Sequence, residues 1–226
     1  MKTVILAAGR GSRLAKEVPK AVLKIAQDTT ILDTQLRNLS AISAIEDVLV
    51  VVGFRSQLIT QKYPGLSFVY NDYYDRTNTA VSLLLALEKA DEEDILWLNG
   101  DVVFDGGILR LLEQNRHRNL VFVKRGPCGA EEIKYAVDQS GSICAISKTV
   151  SNALGEAVGI NFITKKDMQT FIACLAECSP TDFFERAIEM AIDRGVSFLP
   201  ADIGDNFCIE IDFDEDLQKV KAHFDE

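Results

Sequence analysis

The chain has 226 residues, 47% of them hydrophobic and 26% charged, a balance that supports a sizeable core and excludes a disordered chain. A net charge of −10 disfavours general electrostatic binding to DNA, RNA or an anionic membrane. The longest apolar runs, at 48–52 and at 81–87 with Ser82 inside it, fall far below the ~20 residues that a membrane span needs. The apolar stretch at 3–8 is too short for a signal peptide. Five scattered cysteines contain no CxxC pair, and His117 and His223 are the two histidines, so neither a zinc site nor a histidine metal site is expected. These features describe a reduced, cytoplasmic protein.

Along the chain, short β-rich runs alternate with helical spacing. Residues 2–7 read as a buried strand and 31–42 as a helix, with Ile31, Leu32, Leu36 and Leu39 on one face. Strands follow at 47–52 and 66–70, a helix at 78–89, and a strand at 95–98 that ends in Asn99-Gly100-Asp101. A helix at 107–115 and a strand at 120–123 complete this rhythm, which predicts a mainly parallel mixed sheet with helices on both faces. Beyond 125 the pattern changes. Strands at 134–137 and 142–147 flank a hairpin turn at Asp138-Gln139-Ser140-Gly141, and a strand follows at 158–163. Helices are predicted at 165–176 and 181–194, the second starting at Ser179-Pro180-Thr181. Strands at 196–199 and 208–211 and a helix at 215–223 close the chain. With no Gly-, Pro- or Ser-rich linker and no repeat, one domain is expected over 1–226, in which residues 125–165 form a lobe toward a second substrate.

The loop after the first strand concentrates small residues (Ala7, Ala8, Gly9, Gly11) that let a ligand approach the backbone. Its exposed N–H groups suit phosphate oxygens. Between Arg10 and Lys24 stand five cations (Arg10, Arg13, Lys16, Lys20, Lys24) against Glu17, so this loop is +4 and the rest of the chain −14. Such a patch suits a local polyanion such as a triphosphate. A solvated basic loop would look the same by charge alone. A dinucleotide loop is disfavoured because Leu14 stands at the third glycine position, and no Walker sequence is present.

LAAGRGSRL followed by PKAVLKI resembles the signature of the nucleotidyltransferases that make NDP-sugars and CDP-alcohols. The resemblance implies a Rossmann-like nucleotide-diphospho-sugar transferase fold. It also implies transfer of a nucleotidyl group from an NTP to a phosphate monoester or phosphonate, with release of pyrophosphate. By position, Ala8 and Gly9 would lie near the base, Ala7 would also bind the nucleotide, and Gly11, Ser12 and Arg13 would wrap the phosphates. Lys20 would reach the α-phosphate and the acceptor, with Arg10 and Arg13 on the leaving pyrophosphate.

Later landmarks fall in order. Thr77 or Asn78 is a plausible helix cap, and Asn78, Thr79 and Ser82 could also bond a base edge or ribose. The TNTxxS pattern resembles cytidylyltransferases for small alcohol phosphates. Asp101 ends a strand, where open α/β sheets bind ligands. In the resembling family this aspartate binds Mg²⁺, and the EIDFDEDL run implies Asp212 as its partner. Alternation puts Glu210 on the face of Asp212, and Asp214, Glu215 and Asp216 suit a helix start. Lys134, Lys148 and Glu156 resemble acceptor-side residues, while Tyr135, Phe162, Phe183 and Phe184 read as core. Five residues separate Arg13 from Pro19, and EEIKYAV stands where sugar enzymes carry a Tyr-Gly pair. Both departures point to the short enzymes that use CTP and phosphocholine, 2-aminoethylphosphonate or a similar acceptor. A sugar-1-phosphate nucleotidyltransferase is the alternative. A glycosyltransferase of the same fold is a second, disfavoured because Asp101-Val102-Val103 lacks an Asp-x-Asp pair. A homodimer is compatible with the sequence.

Overall fold

The computed structural model describes all residues except 12, 13, 15, 16, 91, 92 and 226, and Asp225 by its backbone alone. Strands β1 (Lys2–Ala7), β2 (Val48–Val52), β3 (Ser67–Tyr70) and β4 (Ile95–Asn99) run parallel in the order β3-β2-β1-β4. Strand β9 (Gly155–Ile163) lies antiparallel to β4 and to β6 (Asn119–Arg125), and β10 (Phe198–Asp202) runs parallel to β6 at the far edge. The hairpin β7 (Lys134–Val137) and β8 (Ile143–Ser147) extends this sheet through β9. The expected mainly parallel mixed sheet is the architecture observed.

Alternation along the strands sorts the core into two layers. Val4 and Trp97 face α3 (Thr79–Leu87), α5 (Lys165–Glu177) and α6 (Phe184–Asp193). Ile5 and Leu98 face α1 (Ile31–Leu39), α2 (Ser56–Lys62) and α4 (Leu109–Asn115). Trp97 anchors the first layer, stacked on Phe171 at 5.3 Å and meeting the edge of Phe184 at 5.7 Å between ring centroids.

Two elements escaped the sequence pattern. Helix α2 carries few apolar residues in its seven. Strand β5 (Val102–Phe104) is three residues long and pairs antiparallel with β11 (Cys208–Glu210), apart from the main sheet. Helix α6 begins at Phe184, not near Thr181. Asp182 accepts from the Ser179 N–H at 2.8 Å, and the Pro180 and Asp182 carbonyls receive the N–H groups of Asn78 and Ala80. The segment thus satisfies otherwise orphaned donors at the start of α3 instead of starting its own helix. Helix α1 stops at Leu39 because the chain turns there, with the Leu39 carbonyl receiving both Ile42 and Ser43 N–H groups. Helix α7 (Asp214–Asp225) starts on the expected acidic residues.

The chain moves outward from β1 to β3 and then crosses back to β4 on the other side of β1. This reversal opens a crevice at the carboxyl ends of β1 and β4, where open α/β sheets bind ligands. Buried Gln35 of α1 braces the turn there: its Nε2 donates to the carbonyls of Asn99 and Val102, each at 2.8 Å. Gln35→Leu leaves both carbonyls without that donor and is expected to destabilise the fold by about 2–4 kcal/mol in urea melts. A loss under ~0.5 kcal/mol would show that the brace is dispensable.

Candidate active site

The loop after β1 passes over the crevice. Gly11 adopts φ +59°, and a Cβ there would lie 2.7 Å from Cγ of Lys20, so the glycine both makes the turn and leaves room for the lysine. Lys20 opens a short 3₁₀ turn, Lys20–Val22, behind Pro19. Across the crevice, Gly100 donates its N–H to the Leu6 carbonyl at 2.9 Å, which pins the turn carrying Asp101 to the end of β1.

Asp212 arrives by strand register. Glu210 pairs with Val102, and the Ile211 N–H then donates to the Asp101 carbonyl at 3.0 Å, so the next residue stands beside Asp101. The Lys20 Nζ donates to Asp101 Oδ2 at 2.8 Å and to Asp212 Oδ1 at 2.6 Å. The three side chains are 14%, 19% and 33% exposed. Burial alone would lower the Lys20 pKa, but the charge and hydrogen bond of Asp101, then those of Asp212, raise it, so Lys20 is held as the ammonium.

Glu210 adds a third acid. Its side chain is open to the cleft yet ringed by protein, and Asn99 Nδ2 donates to it at 2.8 Å. Desolvation, then the nearby Asp101 carboxylate, push its pKa well above the ordinary range, while the Asn99 bond opposes them. One ammonium therefore serves three clustered carboxyls. Among the described residues no three His, Cys, Asp or Glu side chains form a metal cage. Mg²⁺ does not require one: it takes one or two carboxylates and completes its shell with water and phosphate oxygens. Asp101 and Asp212, drawn to one point by Lys20, fit that demand.

The cleft has a volume of about 360 Å³, and Ala7, Gly9, Gly11, Lys20, Asn78, Thr79, Asp101, Lys148 and Asp212 line it. Asn78 caps α3 by accepting the Thr79 N–H, and the Thr79 hydroxyl accepts the Phe184 N–H. Other predicted residues stand elsewhere. Ala8 is buried, with its carbonyl receiving the Phe54 N–H. The Ser82 hydroxyl is buried and accepts from Asn71 Nδ2 at 3.0 Å. Arg10 is exposed and lies 5.4 Å from the Phe54 ring. Lys134 donates to the Lys148 backbone carbonyl at 2.8 Å, bracing that residue. Glu156 lines an adjoining cavity of about 470 Å³, which shares Glu210 and Asp212 with the cleft. Ser12 and Arg13 lie outside the described residues.

Tyr135, Phe162 and Phe184 are core as expected, but Phe183 is not: it is 44% exposed and lines the cleft. Its place as the cap residue of α6 turns it out of the core. Glu185 also lines the cleft, and nothing in the sequence marks it. An acid in the first turn of a helix reads as a solvated partner of the dipole. This one is 7% exposed, and its Oε2 has no partner among the described residues. Burial lifts its pKa to about 7, against a smaller opposing pull from its own N–H and from Lys148.

A glycine-lined loop and strand-end carboxylates thus meet at the switch point of a Rossmann-like sheet. Residues 3–178 match the MobA-like NTP transferase domain, and the chain belongs to that family. It is 35% identical over 121 residues to the bifunctional protein GlmU of Cyanothece sp., covering 51% of this chain and 26% of that protein. It is 35% identical over 95 residues to the choline-phosphate cytidylyltransferase of Streptococcus pneumoniae, covering 39% of this chain and 40% of that one. The matched segments thus span less than half the length of these curated relatives. The inositol-1-phosphate CTP transferase from T. maritima shares the fold, with a TM-score of 0.80 over 100% of this chain and 96% of that chain at 18% identity. No described helix is long and apolar enough to cross a membrane.

Glu185 has a folded pKa of about 7 against an ordinary 4.5. Between those values the folded state keeps a proton that the unfolded state loses. Its contribution to stability is therefore full below pH 4.5 and declines as pH rises to 7, by about 3 kcal/mol at most. Denaturation of wild type and Glu185→Gln over pH 4–8 should show a steeper decline in the wild type than in the variant, where Glu210, another raised acid, remains. Parallel profiles would place the carboxyl in contact with water.

Proposed function

We propose that this chain transfers CMP from CTP to a small phosphate monoester or phosphonate, of the phosphocholine or 2-aminoethylphosphonate type, and releases pyrophosphate. The observation that carries the reading is the Lys20 ammonium shared by Asp101 and Asp212 at the switch point, under a glycine-lined loop. CTP is supported by the names of two similar enzymes, the choline-phosphate cytidylyltransferase and the inositol-1-phosphate CTP transferase, and by the five-residue spacer before Pro19.

In this reading an acceptor oxygen, already anionic, attacks the α-phosphorus in line with departing pyrophosphate. No protein nucleophile is needed, so catalysis is positioning and charge neutralisation. The base and ribose lie against Ala7 and Gly9 and the start of α3 at Asn78 and Thr79, with Ser82 supporting that turn from within. Gly9 and Gly11 let the phosphates approach the backbone. Lys20 offsets charge on the α-phosphate, and Arg10, exposed outside the cleft lining, would have to turn from Phe54 to reach the leaving pyrophosphate. Lys148, paired with Glu131, lines the acceptor side of the cleft, with Lys134 bracing it and Glu156 at the adjoining cavity. Asp101 and Asp212 would hold Mg²⁺, which supplies Lewis-acid charge to phosphate oxygens.

Loss of one such charged group costs about 10²–10³ in turnover. Lys20→Ala and Asp101→Ala are each expected to fall at least that far while retaining a cooperative melt, and near-wild-type turnover removes that residue from the mechanism. Substrate choice is read by pyrophosphate release across the four common NTPs and a set of phosphoryl acceptors with Mg²⁺. Release with CTP and an aminoalkyl acceptor is expected, whereas release confined to a sugar 1-phosphate overturns the assignment.

A further inference from the structure

We propose that Glu185 selects the acceptor by receiving hydrogen bonds from a primary ammonium group on it. This rests on the reaction proposed above and names the acceptor class. Glu185 is held on a rigid mount: the preceding residue, Phe184, packs edge-on to buried Trp97 and donates its N–H to Thr79 at 3.0 Å. The backbone at Glu185 is therefore fixed beside the cleft. It is more than nine-tenths buried, its Oε2 is unpartnered among the described residues, and it lines the same cleft as Lys20, Asp101 and Asp212. A buried acceptor oxygen left without a donor costs free energy, so its retention in a ligand cleft calls for a donor from the ligand. The terminal carboxyl torsion is broad, so either oxygen can turn to that donor.

The surroundings decide which donor. Lys148 is the cation whose charge reaches Glu185, and its Nζ is already engaged, 3.1 Å from Glu131 and 5.6 Å from the centre of the Phe183 ring. A trimethylammonium group offers no N–H and would need an aromatic face. Phe183 is the exposed ring lining this cleft, and Lys148 already stands over it. A hydroxyl could donate, but being neutral it does not favour the charged form of the carboxyl. A primary ammonium does both.

The test compares kcat/KM for pyrophosphate release from CTP with four acceptors: 2-aminoethylphosphonate, its N,N,N-trimethyl analogue, 2-hydroxyethylphosphonate and ethylphosphonate. The wild type should favour the amine over ethylphosphonate by about 100-fold, expressed mainly in KM, as expected for an ion pair in a desolvated site. It should favour the amine over the trimethyl and hydroxyl analogues by at least ~10-fold. Glu185→Gln should bring the amine-to-ethyl ratio to within a few-fold of one. A trimethyl or hydroxyl analogue equal to the amine overturns the proposal without any variant, and so does a variant that keeps the wild-type ratio. Wild-type release from sugar 1-phosphates and from none of these phosphonates overturns the parent assignment as well. Release from all four without discrimination overturns the role of Glu185 alone.

Discussion

A single ammonium group joins three parts of the chain that are remote in sequence. Lys20 reaches Asp101 across 81 positions and Asp212 across 192, at 2.8 and 2.6 Å. Its own burial works against the charge, and the two carboxylates restore it. Taking one member away leaves the others partly desolvated with unbalanced charge, a condition far more costly than the loss of a surface ion pair. The geometry of the cleft therefore follows from the requirement that these three groups meet. The loop after β1, the turn after β4 and the ribbon of β5 with β11 all end there because each brings one of them.

The sheet makes that meeting possible. Order reversal at β1 leaves the ends of β1 and β4 side by side with no crossover helix between them. The Gly100–Leu6 bond and the Gln35 bridge then fix the turn carrying Asp101 from two directions. Register does the rest. Because β11 pairs antiparallel with β5, each step forward on one is a step back on the other. Glu210 opposite Val102 thus commits Asp212 to the neighbourhood of Asp101. A slip of one residue would turn Glu210 and Asp212 to the opposite face.

What was legible in the sequence divides along the same physical line. Strands buried on both faces announce themselves as apolar runs, so β1, β2 and β4 were read within a residue of their bounds. The glycine loop and a carboxylate after a buried strand are local signals, and Gly11, Lys20 and Asp101 do line one cleft. That Asp101 meets Asp212 was not legible from spacing, since it depends on pairing between strands of three residues each. It was expected from family resemblance alone. Side-chain direction was the weakest inference. Phe183 looks like core by type but caps a helix whose first turn faces the cleft. Lys134 and Ser82 have the right chemistry for ligands, yet the backbone of Lys148 and the amide of Asn71 engage them.

The acids of this protein fall into two kinds, and the difference marks where the fold gives up stability. Asp33 in the first turn of α1 is partly buried, and burial alone would raise its pKa, yet Lys62, Thr30 and Tyr63 all bond it and bring it down to about 2. It closes a capping box and stabilises its helix. Glu185 and Glu210 are shifted the other way, because burial or crowding by like charges outweighs the donors offered to them. Both border the cleft. A protein that can pair Asp33 so fully leaves these two under-compensated beside a cleft where a ligand can supply the missing charge or donor. Such local frustration persists when the surrounding core holds it in position, and here Trp97 with Phe171 and Phe184 supplies that rigidity.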